Sequence, residues 1–248
     1  MDLLGIIPAR YGSSRLPGKP LVDIGGKSMV QRVWEQAQAS NALSRVVVAT
    51  DDERIMDHVR VFGGEAVMTR TDHPSGTDRC HEALLLAGGR FDGVVNIQGD
   101  EPFVAPEQIG EVAAVLNGTA VDIATLVQVI SDDREIDDPG EAKVVVDHAM
   151  NAVLFSRAPI PYLRNPDHRP RHQQFRYLKH VGLYAYRTEA LARVVQLEPS
   201  PLERAESLEQ LRWLEAGLRI RVGLTEHPSF CVDTPADLEE ARRRVLSW

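Results

Sequence analysis

Arg10, Arg15 and Lys19 fall in one stretch, Ile6-Ile7-Pro8-Ala9-Arg10-Tyr11-Gly12-Ser13-Ser14-Arg15-Leu16-Pro17-Gly18-Lys19-Pro20, where an apolar run passes into a loop of glycine and serine. Small residues let backbone N–H groups approach phosphate oxygens, and three fixed cations offset a polyanion, so the loop suits a triphosphate. A basic surface loop has the same composition. The pattern is not a P-loop, since proline follows Lys19, nor a dinucleotide fingerprint. In Val94-Val95-Asn96-Ile97-Gln98-Gly99-Asp100-Glu101-Pro102 an apolar strand ends in a glycine followed by two carboxylates. A carboxylate at that place can hold Mg²⁺ through hard oxygen donors and leave positions for phosphate and water. The alternative is a polar turn in which Asp100 caps a helix, weakened because the next helix is expected only near Pro106. In Phe230-Cys231-Val232-Asp233-Thr234-Pro235, Asp233 precedes a helix opened by proline, and N-capping accounts for it by itself, although a cap and a metal ligand are compatible roles.

The elements that must position these residues alternate short apolar runs with longer amphipathic ones. That rhythm predicts parallel strands joined by helices, with right-handed crossovers. Strands are expected over 3–8, 45–50, 65–68 and 92–97, and helices over 28–39, 52–62 and 77–87, with Ser28 and Asp52 as caps. A helix from Pro106 to about Leu116 and a strand over 122–129 follow, then an acidic, turn-rich stretch, 131–141, interrupts the alternation. Residues 143–146 and 152–156 resemble the arms of a hairpin, and 165–174, dense in Pro, Arg and His, is expected as an exposed loop. A strand over 181–186, one helix over 202–216, a strand over 220–224 and a closing helix over 235–245 complete the chain. The whole forms one α/β domain on a mixed, mostly parallel sheet flanked by helices, with a less regular subregion around 130–190.

Composition narrows the function. The 248 residues are 43% hydrophobic and 26% charged, the profile of a folded soluble domain. A net charge of −8 removes the electrostatic footprint of a nucleic-acid binder, so an anionic ligand must meet a local basic cluster. Only four lysines occur, and Lys19 and Lys27 flank the N-terminal loop. No run reaches the roughly 18 apolar residues of a membrane span, and no export signal precedes the first strand. Cys80 and Cys231 are too few for a disulfide framework or a cysteine zinc site; they are expected to be small buried hydrophobes in a reducing, cytoplasmic compartment. His168 and His172 have the spacing of a helical metal pair, but Pro170 between them argues against the helix. His180 reads as a core histidine at a strand edge, and Glu203, Glu206 and Glu209 as a solvated helix face.

Taken together, the Pro8–Pro20 loop, Ala49-Thr50-Asp51, Ser75-Gly76-Thr77-Asp78-Arg79, the Gln98-Gly99-Asp100-Glu101-Pro102 run, Phe155-Ser156-Arg157, His180-Val181-Gly182-Leu183-Tyr184, Leu208-Glu209-Gln210-Leu211-Arg212 and Val232-Asp233-Thr234-Pro235 resemble the CMP-KDO synthetases, the 3-deoxy-manno-octulosonate cytidylyltransferases, over nearly the whole chain. The N-terminal loop alone is shared with CMP-sialic acid synthetases. The Gln98–Pro102 and Leu208–Arg212 runs point to KDO. The sequence departs from the family at Asp138-Pro139-Gly140-Glu141-Ala142, where relatives often carry an asparagine before the lysine, and over 165–174.

The resemblance implies a nucleotide-diphospho-sugar transferase-like, Rossmann-like fold, CTP and KDO as substrates, Mg²⁺ as cofactor and a homodimer made through the irregular middle third. It implies that Arg10, Arg15 and Lys19 hold the triphosphate, with Pro8, Ala9 and Ser13 beside it, and that Ser75, Thr77 and Arg79 help form the cytidine pocket. Asp100 and Asp233 are implied to coordinate the metal. Gln98, Arg157, Arg164, His180, Tyr184, Glu209 and Gln210 are implied to line the acid-sugar pocket. The implied reaction is an in-line displacement on the α-phosphorus. No side chain in the motifs is an evident general base, so a two-metal site is expected, one Mg²⁺ activating the hydroxyl and the other bridging triphosphate oxygens, with His180 as the fallback base. Rival expectations are a cytidylyltransferase for sialic or amino-substituted octulosonic acid, a non-catalytic nucleotide-binding regulator, and a purely structural α/β subunit.

Overall fold

Strands form where Val, Ile and Leu run unbroken, because both faces of the sheet they build are covered. The computed structural model describes residues 1–12, 16–118 and 121–245. Its strands are β1 (Leu3–Ala9), β2 (Arg45–Thr50), β3 (Ala66–Met68), β4 (Gly93–Asn96), β5 (Ile123–Val129), β6 (Lys143–Val146), β7 (Ala152–Ser156), β8 (Leu178–Arg187) and β9 (Ile220–Leu224). Its helices are α1 (Met29–Ala39), α2 (Glu53–Val61), α3 (Gly76–Ala87), α4 (Pro106–Asn117), α5 (Asp133–Asp137), α6 (Arg171–Gln174), α7 (Thr188–Val194), α8 (Pro201–Glu206), α9 (Gln210–Glu215) and α10 (Pro235–Val245). The main path of the sheet runs β3-β2-β1-β4-β8-β5-β9, with the β6–β7 hairpin attached to β8. Pairing is parallel among the first four strands and between β5 and β9, and antiparallel where β8 is inserted. The mixed α/β sheet expected from the alternating pattern is present.

Local signals place most helix starts. Ser28 Oγ accepts from the Gln31 N–H at 3.2 Å, and Asp52 Oδ1 from the Arg54 N–H at 2.9 Å, so both expected caps cap. Ser75 caps α3 in the same way. One face of the sheet buries Leu3, Ile7, Val33, Ile55, Ile109 and Val112; the other buries Leu4, Ile6, Cys80, Tyr186, Leu191 and Trp213. With both faces covered, the free ends of the strands are where a ligand can reach the sheet.

Two expectations are corrected. Residues 202–216 are not one helix: Ser207 takes a left-handed conformation, φ 52°, and divides α8 from α9. Arg157 causes the stop. Its Nε donates to the Glu206 carbonyl at 2.8 Å and its backbone N–H to the Glu206 carboxylate at 2.9 Å, so the last turn of α8 is bound sideways. Within 165–174, residues Arg171–Gln174 form a short helix, and His172 Nδ1 lies 2.7 Å from Asp133 Oδ1; this histidine anchors a loop.

Candidate active site

β1, β2, β3 and β4 all end at one edge of the sheet, and the segments that leave β1, β3 and β4 enclose, with the segment before α10, a cleft of about 400 Å³. After β1 come Arg10 and, past residues 13–15, Lys19; after β4 come Gln98, Gly99 and Asp100; α3 brings Ser75, Gly76 and Arg79; the segment before α10 brings Asp233. Pro8 and Ala9, the end of β1, form part of the wall. Ser13 and Arg15 lie outside the described residues.

Close backbone packing shapes the floor. A Cβ at Gly99 would stand 2.5 Å from the Pro8 carbonyl oxygen, so only glycine lets the Asp100 turn lie against β1. Gly18, at φ 67°, supplies the left-handed turn that presents Lys19. The Lys19 ammonium lies 2.8 Å from Asp100 Oδ2 and 2.8 Å from Asp233 Oδ1. Burial opposes its charge, but the two carboxylates outweigh burial and hold its pKa above the ordinary lysine value. Asp100 caps nothing, because α4 starts at Pro106 after Ala105. Asp233 is also released from capping, against the simplest sequence reading. Thr234 Oγ1 accepts from the Asp237 N–H at 3.2 Å, while Asp237 Oδ2 accepts from the Asp233 and Thr234 N–H groups at 3.0 and 2.8 Å. The cap is a Thr234–Asp237 box, which leaves the Asp233 carboxylate to the cleft.

Asp100 and Asp233 converge with opposed charge between them, and their hard oxygen donors fit Mg²⁺. Among the described residues, Asp100, Cys231 and Asp233 bring their ligand atoms within 4.8 Å of one another. Cys231 corrects an expectation: Cys80 is buried as a small apolar residue, but Cys231 is exposed, and both are free thiols. Partial burial of its sulfur, then Asp100 and Asp233, push the Cys231 thiol up. The signal was present in the sequence, since Cys231 and Asp233 are two apart in an extended segment and so share a side, with Val232 buried between them. His73 is a second residue that motif reading missed. It lines the cleft, its Nε2 is bonded to the Glu82 carboxylate, and Glu82 also accepts the Arg70 N–H at 2.9 Å.

Arg79 is buried, with Nη2 2.8 Å from Asp51 Oδ2 and Nη1 on Thr69 Oγ1 at 2.5 Å, so it braces the ends of β2 and β3 while lining the cleft. Ser75 and Thr77 turn toward Glu209, whose carboxylate lies 3.1 Å from Ser75 Oγ and 2.9 Å from Thr77 Oγ1. Burial raises the Glu209 pKa, and the Thr77 and Ser75 hydroxyls and Arg212 oppose the rise. The three glutamates do not form a solvated face. Glu203 pairs with Arg212 at 2.6 Å, Glu206 accepts from Ser156 Oγ at 2.6 Å, and Glu209 reaches α3.

The residues expected around an acid sugar divide. Gln98 lines the cleft, and Gln210 is buried at the start of α9. Arg157 donates to the carbonyls of Glu206, Pro139 and Ser207. Arg164 is exposed in the loop after β7. The His180 ring packs between those of Phe155 and Tyr184, with centroids 5.4 and 5.1 Å away. Thr125 Oγ1 donates to the Leu183 carbonyl at 2.8 Å, so His180 Nε2, 2.9 Å from the same oxygen, carries the proton and donates to it. Burial pushes the imidazole down to about 3, which keeps it neutral and makes it a poor base, against the fallback role. The Tyr184 hydroxyl and Trp213 Nε1 are buried without a hydrogen-bond partner among the described residues.

Over residues 4–220 the sequence matches the family described as cytidylyltransferase. A 3-deoxy-manno-octulosonate cytidylyltransferase of Bacteroides thetaiotaomicron is 50% identical over 244 residues, 97% of each chain. One from Rhodopseudomonas palustris is 52% identical and covers 97% of this chain and 96% of its own. A solved CMP:2-keto-3-deoxy-manno-octonic acid synthetase, complexed with CTP, is similar with a TM-score of 0.90 and 46% identity, over 100% of this chain and 99% of that one. A 4-diphosphocytidyl-2C-methyl-D-erythritol synthase from Anaerococcus prevotii, 12% identical with a TM-score of 0.65 over 99% of this chain and 98% of its own, shares the fold alone.

Proposed function

The chain belongs to the cytidylyltransferase family, among the 3-deoxy-manno-octulosonate enzymes, and we propose that it transfers CMP from CTP to the anomeric hydroxyl of KDO, releasing pyrophosphate and activating the sugar for lipopolysaccharide synthesis. The observation that carries the reading is the Lys19 ammonium seated between Asp100 and Asp233 at the carboxyl ends of β1 and β4. An ammonium for the phosphates, held by two carboxylates that can take up a divalent cation, is what a triphosphate and its counter-ion require.

In this reading Asp100 and Asp233 hold Mg²⁺ through carboxylate oxygens. Bound there, the ion would acidify the sugar hydroxyl and offset charge growing on the triphosphate. The hydroxyl gives up its proton to solvent and its oxygen bonds to the α-phosphorus while the bond from that phosphorus to the β-phosphate bridging oxygen breaks. Arg10, at the rim of the cleft, and Lys19 stabilise the departing pyrophosphate. Lys19 is the exchangeable partner, because an ammonium whose carboxylates are taken up by another cation is released to the phosphates. Ser75, Thr77 and Arg79 border the nucleoside. Gln98, Tyr184, Glu209, Gln210, Arg157, Arg164 and His180 serve the acid sugar; the buried, unpartnered Tyr184 hydroxyl supports a polyol ligand on that side. The neutral His180 positions through hydrogen bonds and does not take the proton.

The same reading makes the whole chain one nucleotidyltransferase unit that works in the cytoplasm as a homodimer. Exposed Val153 and Leu154 on the outer strand of the β6–β7 hairpin, with Tyr162 and Phe175, support an interface through the region around 130–190. Two free thiols accord with a reducing compartment. No helix among the described residues is long and apolar enough to cross a membrane.

The test incubates the purified chain with CTP, Mg²⁺ and, separately, KDO, amino-KDO and sialic acid, and measures pyrophosphate release. Release with KDO that chelation abolishes is expected. Release only with another acid sugar overturns the substrate, and release with none overturns the transfer itself. Sedimentation at micromolar concentration should give twice the chain mass, and a monomer overturns the dimer.

A further inference from the structure

Cys231 stands beside Asp100 and Asp233, and the proposed reaction does not use its chemistry. Its sulfur and the carboxylates of Asp100 and Asp233 have ligand atoms within 4.8 Å of one another. Metal bonds of about 2.0–2.3 Å let one ion span donors roughly twice that distance apart. Only small side-chain rotations therefore separate this cluster from a coordinated one. A second observation is independent of the spacing: the Lys19 ammonium lies 2.8 Å from each carboxylate, so the pair already grips a cation. The two ligand-bearing segments are also pinned together, because the Val232 N–H donates to the Asp100 carbonyl at 2.9 Å. That bond fixes Cys231 and Asp233, on either side of buried Val232, against the Asp100 turn.

We propose that Cys231 is a third ligand beside Asp100 and Asp233, so that this site takes thiophilic divalent ions such as Co²⁺, Zn²⁺ and Cd²⁺ more tightly than two carboxylates alone would. The proposal rests on the reading that Asp100 and Asp233 hold a divalent cation. Mg²⁺ is hard and keeps to oxygen donors, so the sulfur adds nothing to its binding; softer ions accept thiolate. On binding, a metal–sulfur bond forms and the thiol proton leaves to solvent. The consequence is a choice of ion set by one side chain, with ions of the second kind competing for the seat of Mg²⁺.

The experiment titrates the full chain with Co²⁺ alone, without nucleotide, and follows the near-ultraviolet thiolate-to-cobalt charge-transfer absorption. It is expected to rise to saturation in the native chain and to be missing in Cys231→Ser. That variant should bind Co²⁺ at least about tenfold more weakly, as loss of a metal partner does, while calorimetry gives matching Mg²⁺ affinities for the two proteins. Saturating Co²⁺ without the absorption overturns the proposal. So does absorption that survives in Cys231→Ser, which assigns the sulfur to Cys80. CMP transfer with Mg²⁺ is scored separately: turnover without a cobalt–sulfur band sinks the ligand role of Cys231 alone, whereas a chain that binds no Mg²⁺ and turns nothing over sinks the functional reading.

Discussion

Thr77 Oγ1 donates to Glu209 Oε2 across 2.9 Å, joining segments 132 residues apart in the chain. Thr77 stands in the first turn of α3, whose N-terminal end borders the cleft, and Glu209 stands on the turn that leads into α9. The proposed nucleotide and sugar sides are thus joined by part-buried hydrogen bonds from Thr77 and Ser75 to one carboxylate, and displacement of either side is felt by the other.

Glu209→Ala should therefore raise KM for CTP as well as for the acid sugar, each by about tenfold, the scale of one lost hydrogen bond to a charged group. Steady-state kinetics with each substrate varied in turn measures it. An unchanged KM for CTP would show that the two sides are not coupled through this carboxylate.

Lys19→Ala should lower kcat by roughly two to three orders of magnitude if the ammonium stabilises charge on the departing pyrophosphate. The same change should tighten Mg²⁺ binding in the absence of CTP, because no ammonium then competes for Asp100 and Asp233. Calorimetry that gives equal Mg²⁺ affinity for the native chain and the variant would mean that the two cations do not share a seat.

Asp233 and Thr234 are neighbours with separable tasks. Thr234→Val removes the cap of α10 and should cost about 1 kcal/mol of stability with kcat largely kept. Asp233→Asn should leave the midpoint of unfolding nearly unchanged and abolish turnover. If the two variants lose activity and stability in equal proportion, cap and site are not distinct.

His180 sets part of the acid response. Its ordinary pKa of about 6.5 applies to the unfolded chain, and burial takes it down to about 3 in the fold. Below pH ~6.5 the unfolded chain gains a proton that the folded one refuses, so this contribution to stability is whole above that pH and is lost as pH falls toward the folded value. His180→Gln, neutral throughout, should flatten the decline in urea midpoint between neutral and acid pH. A decline equal to that of the native chain would show that the imidazole is not held neutral by the fold. The kcat/KM profile should likewise show no break from this group near neutrality.

The amino-acid sequence determined whatever depends on neighbours along the chain. Unbroken Val and Ile runs became strands, Ser28 and Asp52 became caps, and Arg10 and the Gln98–Pro102 segment were legible as following strand ends, because side-chain period and capping act over a few residues. Tertiary structure decided what depends on contacts between distant segments. Arg157 binds the end of α8 and divides the leucine-spaced stretch, which carries Glu209 to α3. Thr234 takes the cap that sequence offered to Asp233, and Lys19 draws Asp233 toward Asp100 with Cys231 alongside. Each outcome is set by which charged or polar group reaches a partner first across the fold, and one-dimensional spacing carries no record of that distance.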